Sequence, residues 1–140
     1  MPDSDRAASI STPEQAQFSH GAEMVGLARW WRQADQHENA LVLFRQALDR
    51  ELPDELLFRT MWDIAALEKK LGRQHAALPM LTDLASARNP WRAAAFTELA
   101  KYYEHRERNF AMAIEMAQNA FELDPSDALR RRIARLEKKR

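Results

Sequence analysis

Residues 96–125 read FTELAKYYEHRERNFAMAIEMAQNAFELDP, and the spacing of their apolar and small side chains predicts two helices joined by a short polar turn. Phe96, Leu99, Ala100 and Tyr103 fall at i, i+3, i+4 and i+7, one face of a 3.6-residue helix. After the polar run from Glu104 to Asn109, Ala113, Ala117 and Ala120 mark a second helix with a narrow face of small residues. Small residues let paired helices approach closely. Pro125 then closes the unit, because proline cannot continue a helix interior.

The same order recurs twice upstream. The first copy reads Met24, Leu27, Ala28 and Trp31, then Ala40, Phe44 and Ala47, then Pro53. The second reads Met61, Ile64 and Ala65, then Ala77, Leu81 and Leu84, then Pro90. Ala40, Ala77 and Ala113 step by 37 and 36 positions. Such a fixed period is the mark of a repeat architecture, in which each helical pair buries a face that it cannot bury alone. Ala28, Ala40, Ala65, Ala77, Ala100 and Ala113 are therefore expected at buried helix crossings. The copies also differ. Glu68 stands where the other copies have an aromatic, Ala117 replaces a bulky residue, and the third turn carries an extra residue near Glu107-Arg108. Pro79 falls close to the start of a predicted helix, whose first turn is expected to be loosened.

Over residues 21–125 the pattern resembles the tetratricopeptide repeat family. The third copy, with its ending Ala120-Phe121-Glu122-Leu123-Asp124-Pro125, is the best match. The resemblance implies an all-α short solenoid of three helical hairpins, with paired antiparallel helices and no enzymatic activity of its own.

The flanks complete the expected organisation. Residues 1–11 are polar and without period, and read as a disordered tail. Residues 12–140 read as one domain. Thr12-Pro13-Glu14-Gln15 carries a helix start, with Thr12 as cap, Pro13 at the first helical position and Gln15 completing a capping box. A last helix begins at Ser126, a candidate N-cap. It carries Leu129, Ile133 and Leu136 as one apolar stripe. The formal charge of the chain is zero, yet residues 126–140 hold seven Arg and Lys against Asp127 and Glu137. A polar, basic end helix is what a repeat stack needs to close its core.

Several function classes are disfavoured. The chain has no cysteine, which removes disulfide frameworks, thiolate nucleophiles and Cys-ligated zinc. No run approaches the length needed to span a bilayer, and the polar start Met-Pro-Asp-Ser-Asp is no signal peptide. A cytoplasmic protein is the expectation. His20, His37, His75 and His105 show no metal-ligand spacing, and the serines have no nucleophile context. Glu104-His105-Arg106 combines an acid, a base and an anion binder, but an ordinary solvated helix end accounts for it. No catalytic residue, cofactor or metal is expected.

Tetratricopeptide stacks hold extended segments on a concave face. Carrying that register over places Val25, Arg29 and Arg32 there from the first copy. The second copy contributes Arg59, Trp62, Ala66 and Lys69, and the third Thr97, Lys101 and Glu104. This set implies a partner protein or peptide segment rich in carboxylates, with Arg29, Arg59, Trp62, Lys69, Lys101 and Glu104 as the contact residues. The alternative is nucleic acid, contacted by Arg130, Arg131, Arg135 and Lys138 of the basic end.

A second resemblance is narrower. Glu98-Leu-Ala-Lys-Tyr-Tyr-Glu-His-Arg-Glu-Arg-Asn-Phe-Ala-Met-Ala and Arg132-Ile-Ala-Arg-Leu are similar to the helical-repeat tail of some bacterial ribonuclease-H-like proteins, over residues 55–138. Phe18-Ser-His-Gly-Ala-Glu-Met-Val-Gly-Leu, with His20 and Glu23, resembles a trace of the nuclease domain's last helix. The sheet and the other acidic metal ligands have no counterpart. The resemblance implies a stand-alone or detached accessory module without catalysis.

Overall fold

The computed structural model describes the backbone of residues 13–140 and the side chains of residues 20–140. The tail at 1–11 and the Thr12 cap lie outside the described residues. Among these the fold is all-α, with seven helices and no strand: α1 (Pro13–Gln33), α2 (His37–Leu48), α3 (Asp54–Lys70), α4 (Gln74–Ala85), α5 (Arg92–His105), α6 (Phe110–Leu123) and α7 (Asp127–Lys139). The chain parts into two compact units, Met1–Leu67 and Glu68–Arg140.

The turns inside the three repeats are built alike. Asp35 (φ 60°), Gly72 (φ 79°) and Arg108 (φ 51°) occupy the left-handed region, stepping by the same 37 and 36 positions as the alanines. In each turn the next amide closes back onto the preceding helix. Gln36 N donates to Trp31 O at 2.9 Å, Arg73 N to Glu68 O at 2.8 Å and Asn109 N to Tyr103 O at 2.8 Å. This satisfies carbonyls that a helix end leaves orphaned. The third closure spans one residue more, which is the extra residue read from the sequence. Only Gly72 adopts its conformation without a steric cost; Asp35 and Arg108 hold it at some expense.

In the first unit α1 packs on α2. Ala28, Ala40, Phe44, Ala47 and Ile64 are fully buried there, while Val25, Leu41, Leu52, Ala65 and Leu67 are nearly so. Gly21 is a close-approach position, since a Cβ there would lie 2.6 Å from Leu52 Cδ2 and 3.3 Å from Arg50 Cβ. Two residues of the first copy depart from expectation. Leu27 is 48% exposed, and Val25, read as groove-lining, is buried. On a 3.6-residue helix these two lie about 160° apart, so a core that takes Val25 leaves Leu27 at the surface.

In the second unit α4 packs on α5, α5 on α6 and α6 on α7. Ala100, Ala117, Ala120 and Leu129 form one buried cluster, with Phe96, Phe121 and Ile133 against it. Ala113, Ile114 and Leu136 form another, flanked by Tyr103 and Phe110. All six alanines expected at crossings are buried across the two units. Helix α4 runs through Pro79, which sits exposed and removes one donor from a solvated face. Asn109 and Ser126 cap the last two helices, their side chains accepting from Met112 N and Leu129 N, each at 3.1 Å.

Candidate functional site

In the second unit, α5 and α7 flank a cleft of about 310 Å³. Thr97 and Lys101 come from α5, Arg132 from α7, and Asp124 and Ser126 from the turn between α6 and α7. Ala93, Ala94, Ala128 and Leu129 complete the lining. The apolar residues leave room because three of them are alanine. Thr97 Oγ1 donates to Ala93 O at 3.1 Å, the usual back-bond of a helical threonine. Lys101 Nζ donates to Glu98 Oε2 at 3.1 Å. That engages one of its three N–H groups. Glu98 also accepts from Lys69. Burial alone would raise the Glu98 carboxyl, but hydrogen bonds from Lys69 and Lys101 outweigh it and lower its pKa.

Glu104 overturns its assignment as a groove contact. It is 2% exposed, and α7 supplies its partners. Arg132 Nη1 donates to Oε1 at 2.9 Å, Arg135 Nη2 to Oε1 at 2.7 Å and to Oε2 at 2.8 Å, and Lys139 Nζ to Oε2 at 3.1 Å. Arg132, Arg135 and Lys139 share one face of α7, at i, i+3 and i+7. The exposed His105 imidazole lies 3.7 Å from Oε1. Burial works against the carboxylate charge; the hydrogen bonds from Arg135 and Lys139, with the Arg135 and His105 charges, prevail and hold its pKa at about 2. Glu104 is an internal counter-ion, not a surface group at a helix end. The signal that could have found it is the 132/135/139 spacing, which leaves three cations beside the apolar stripe.

The same contacts change the reading of the basic helix. Arg135 is committed to Glu104, and Arg130 pairs with Asp127 at 3.3 Å. Arg131 and Lys138 are exposed and form no ion pair among the described residues. Arg106 donates to Gln74 Oε1, and Lys69 is exposed beside Glu98.

Arg29, Arg59 and Trp62 belong to the first unit. Arg32 Nη1 meets Asp63 Oδ1 at 3.0 Å, joining α1 to α3. Burial and the nearby Arg59 and Arg32 charges lower the Arg29 pKa, with Asp63 opposing them. The Arg29 and Arg59 charges are thus close enough to act on each other. Arg29 Nε and Nη2, Thr60 Oγ1 and Asp63 Oδ2 are buried without hydrogen-bond partners among the described residues. Trp62 is half-buried and Arg59 exposed. Trp30 is 57% exposed and packs edge-to-face on Trp31 at 5.0 Å. His20 and Glu23 are both exposed on α1.

Among the described residues no three His, Asp or Glu side chains gather as a metal site, and no helix is long and apolar enough to cross a membrane. No family model matches the chain. The chain is similar to the uncharacterized protein YprB of Bacillus subtilis (strain 168), with 28% identity over 125 residues; the match covers 84% of this chain and 30% of that protein. The chain therefore corresponds to less than a third of the length of the curated relative.

Proposed function

We propose that this chain is a non-catalytic protein-interaction module of the tetratricopeptide-like helical-repeat kind, binding a carboxylate-bearing segment of a partner protein. The observation that supports this reading is the α5–α7 cleft. Thr97 and Lys101, which the repeat register assigns to a binding face, do line a recess, and Arg132 stands in the same lining. An apolar floor with a few convergent polar groups is the usual composition of a binding site. The similarity to a much longer protein supports an accessory role beside other domains. In the first unit, Arg29 and Arg59 are a second cationic pair suited to carboxylates.

Nucleic-acid contact by α7 is the weaker reading. Arg132, Arg135 and Lys139 turn onto Glu104, so most of the apparent basic surface is already neutralised. Phosphate binding through the remaining Arg131 and Lys138 would fall steeply with salt, by counterion release.

The test is affinity capture from the source cell with wild type, Lys101→Glu, Arg59→Glu and Arg131→Glu/Lys138→Glu, read by mass spectrometry, with gel shifts at two salt concentrations. Partners lost with Lys101→Glu or Arg59→Glu, at unchanged melting temperature, support the adaptor reading. Partners lost only with the α7 double variant, together with a salt-sensitive shift, overturn it.

A further inference from the structure

We propose that the exposed side of α1 is a self-pairing surface on which a second copy of this chain docks, helix against antiparallel helix, through Glu23, Gly26, Leu27 and Trp30. This is independent of the adaptor reading. Helix α1 turns Val25 and Ala28 into its own unit and holds α3 through Arg32 and Asp63. The opposite side is bare. Leu27 and Trp30 are 48% and 57% exposed, three positions apart on one side of the helix. From His20 to Gln33 the only exposed residue of α1 with a formal charge is Glu23, in a chain of which 30% is charged. The exposed side of α7, by contrast, carries Arg130, Arg131, Glu137 and Lys138. An exposed helix side with so little charge and two large apolar residues marks a contact surface.

The order of the four residues says what docks there. Glu23, Gly26, Leu27 and Trp30 follow i, i+3, i+4 and i+7, one stripe of a helix. The stripe is symmetric about the point between Gly26 and Leu27. A two-fold axis through that point sets Gly26 against Leu27 of the other copy and Glu23 against Trp30 of the other copy, and each pair forms twice. Both pairs are complementary. A Cβ at Gly26 would meet nothing within 4 Å, so the glycine leaves a gap that a leucine side chain fills. Glu23 offers only acceptors and the Trp30 indole only a donor, and neither side chain has a hydrogen-bond partner among the described residues. The formal net charge of the chain is zero, so no long-range repulsion holds two copies apart. A glycine inside a helix costs stability; here it serves as the socket. A contact along one helix face lies at the small end of specific interfaces, so dissociation on the order of 0.1 mM is expected.

The experiment follows the full chain from about 0.01 to about 1 mM by sedimentation equilibrium and by NMR of the tryptophan indole N–H signals, with Trp30→Phe identifying that of Trp30. The mean mass is expected to rise from 16.2 kDa to twice that value and stop there, because a two-fold contact closes on itself. The Trp30 signal should move in step. Glu23→Gln should weaken the dimer about tenfold, the worth of the charge on its hydrogen bonds. Gly26→Leu should abolish the dimer, whereas nonspecific association would grow with the larger apolar side chain. Its melting temperature in dilute solution should not fall, since leucine favours a helix over glycine. Leu27→Glu and Leu27→Lys should each stay monomeric, and an equal mixture should recover the dimer, because both side chains flank the axis. A mass of 16.2 kDa at every concentration overturns the proposal. So does growth beyond the dimer, undiminished association of Gly26→Leu, or no recovery on mixing.

Discussion

Arg135 Nη2 straddles the carboxylate of Glu104, 2.7 Å from one oxygen and 2.8 Å from the other. The two residues are 31 positions apart, on α5 and α7. Arg132 and Lys139 complete the cradle, so the face of α7 that meets the body of the second unit carries charge beside its apolar stripe. Leu129 and Leu136 are buried on that stripe. Any rotation of α7 that kept the leucines buried but moved the cations away would strand Glu104 in a water-poor site. Leaving one partner of such a cluster unpaired costs more than the intact cluster contributes.

A pH dependence follows. The Glu104 pKa is depressed from its ordinary 4.5 to about 2, so the folded state binds a proton less readily than the unfolded chain. The stabilisation is fully present above the ordinary value and is lost as pH falls towards 2. Melting temperature should decline across that window in wild type. Glu104→Gln should lower stability at neutral pH by about 1–3 kcal/mol and show a flatter acid limb. Parallel acid limbs in the two proteins would exclude Glu104 as the source.

Ala100 and Ala113 are both fully buried. Replacing either with Leu should overpack the α5–α6 contact and cost about 1–3 kcal/mol, read as a shift in the urea midpoint. Wild-type midpoints for both variants would contradict the close packing.

The glycines of α1 should respond in opposite senses. A Cβ at Gly26 meets nothing within 4 Å, so Gly26→Ala should stabilise by about 0.5–1 kcal/mol through helix propensity. At Gly21 the same gain is opposed by contacts at 2.6 and 3.3 Å. Thermal melts should place Gly21→Ala below Gly26→Ala.

Ser126 caps α7 through Leu129 N, which sits beside the cleft. Ser126→Ala should cost about 1 kcal/mol and loosen α7 first. Hydrogen exchange of the α7 amides should rise more than that of α6. A uniform rise along the chain would mean that α7 does not open on its own.

What the sequence determined by itself was local or periodic. Helix identity followed from 3.6-residue spacing, the α7 start from Ser126, and the buried crossings from alanines recurring every 35 to 37 positions. Each depends on a few neighbouring residues or on a pattern that survives repetition. The third turn's extra residue was legible for the same reason. The tertiary structure decided the polar interior. Glu104 resembled a solvated helix end because its partners lie 28 to 35 positions away, and nothing in its own segment announces them. Val25 and Leu27 exchanged places because they lie on nearly opposite sides of α1, and the period alone does not say which side meets the core. Burial of a charge, and the choice of which cations remain for a partner, depends on which helices meet, and a linear pattern fixes faces more firmly than it fixes what packs against them.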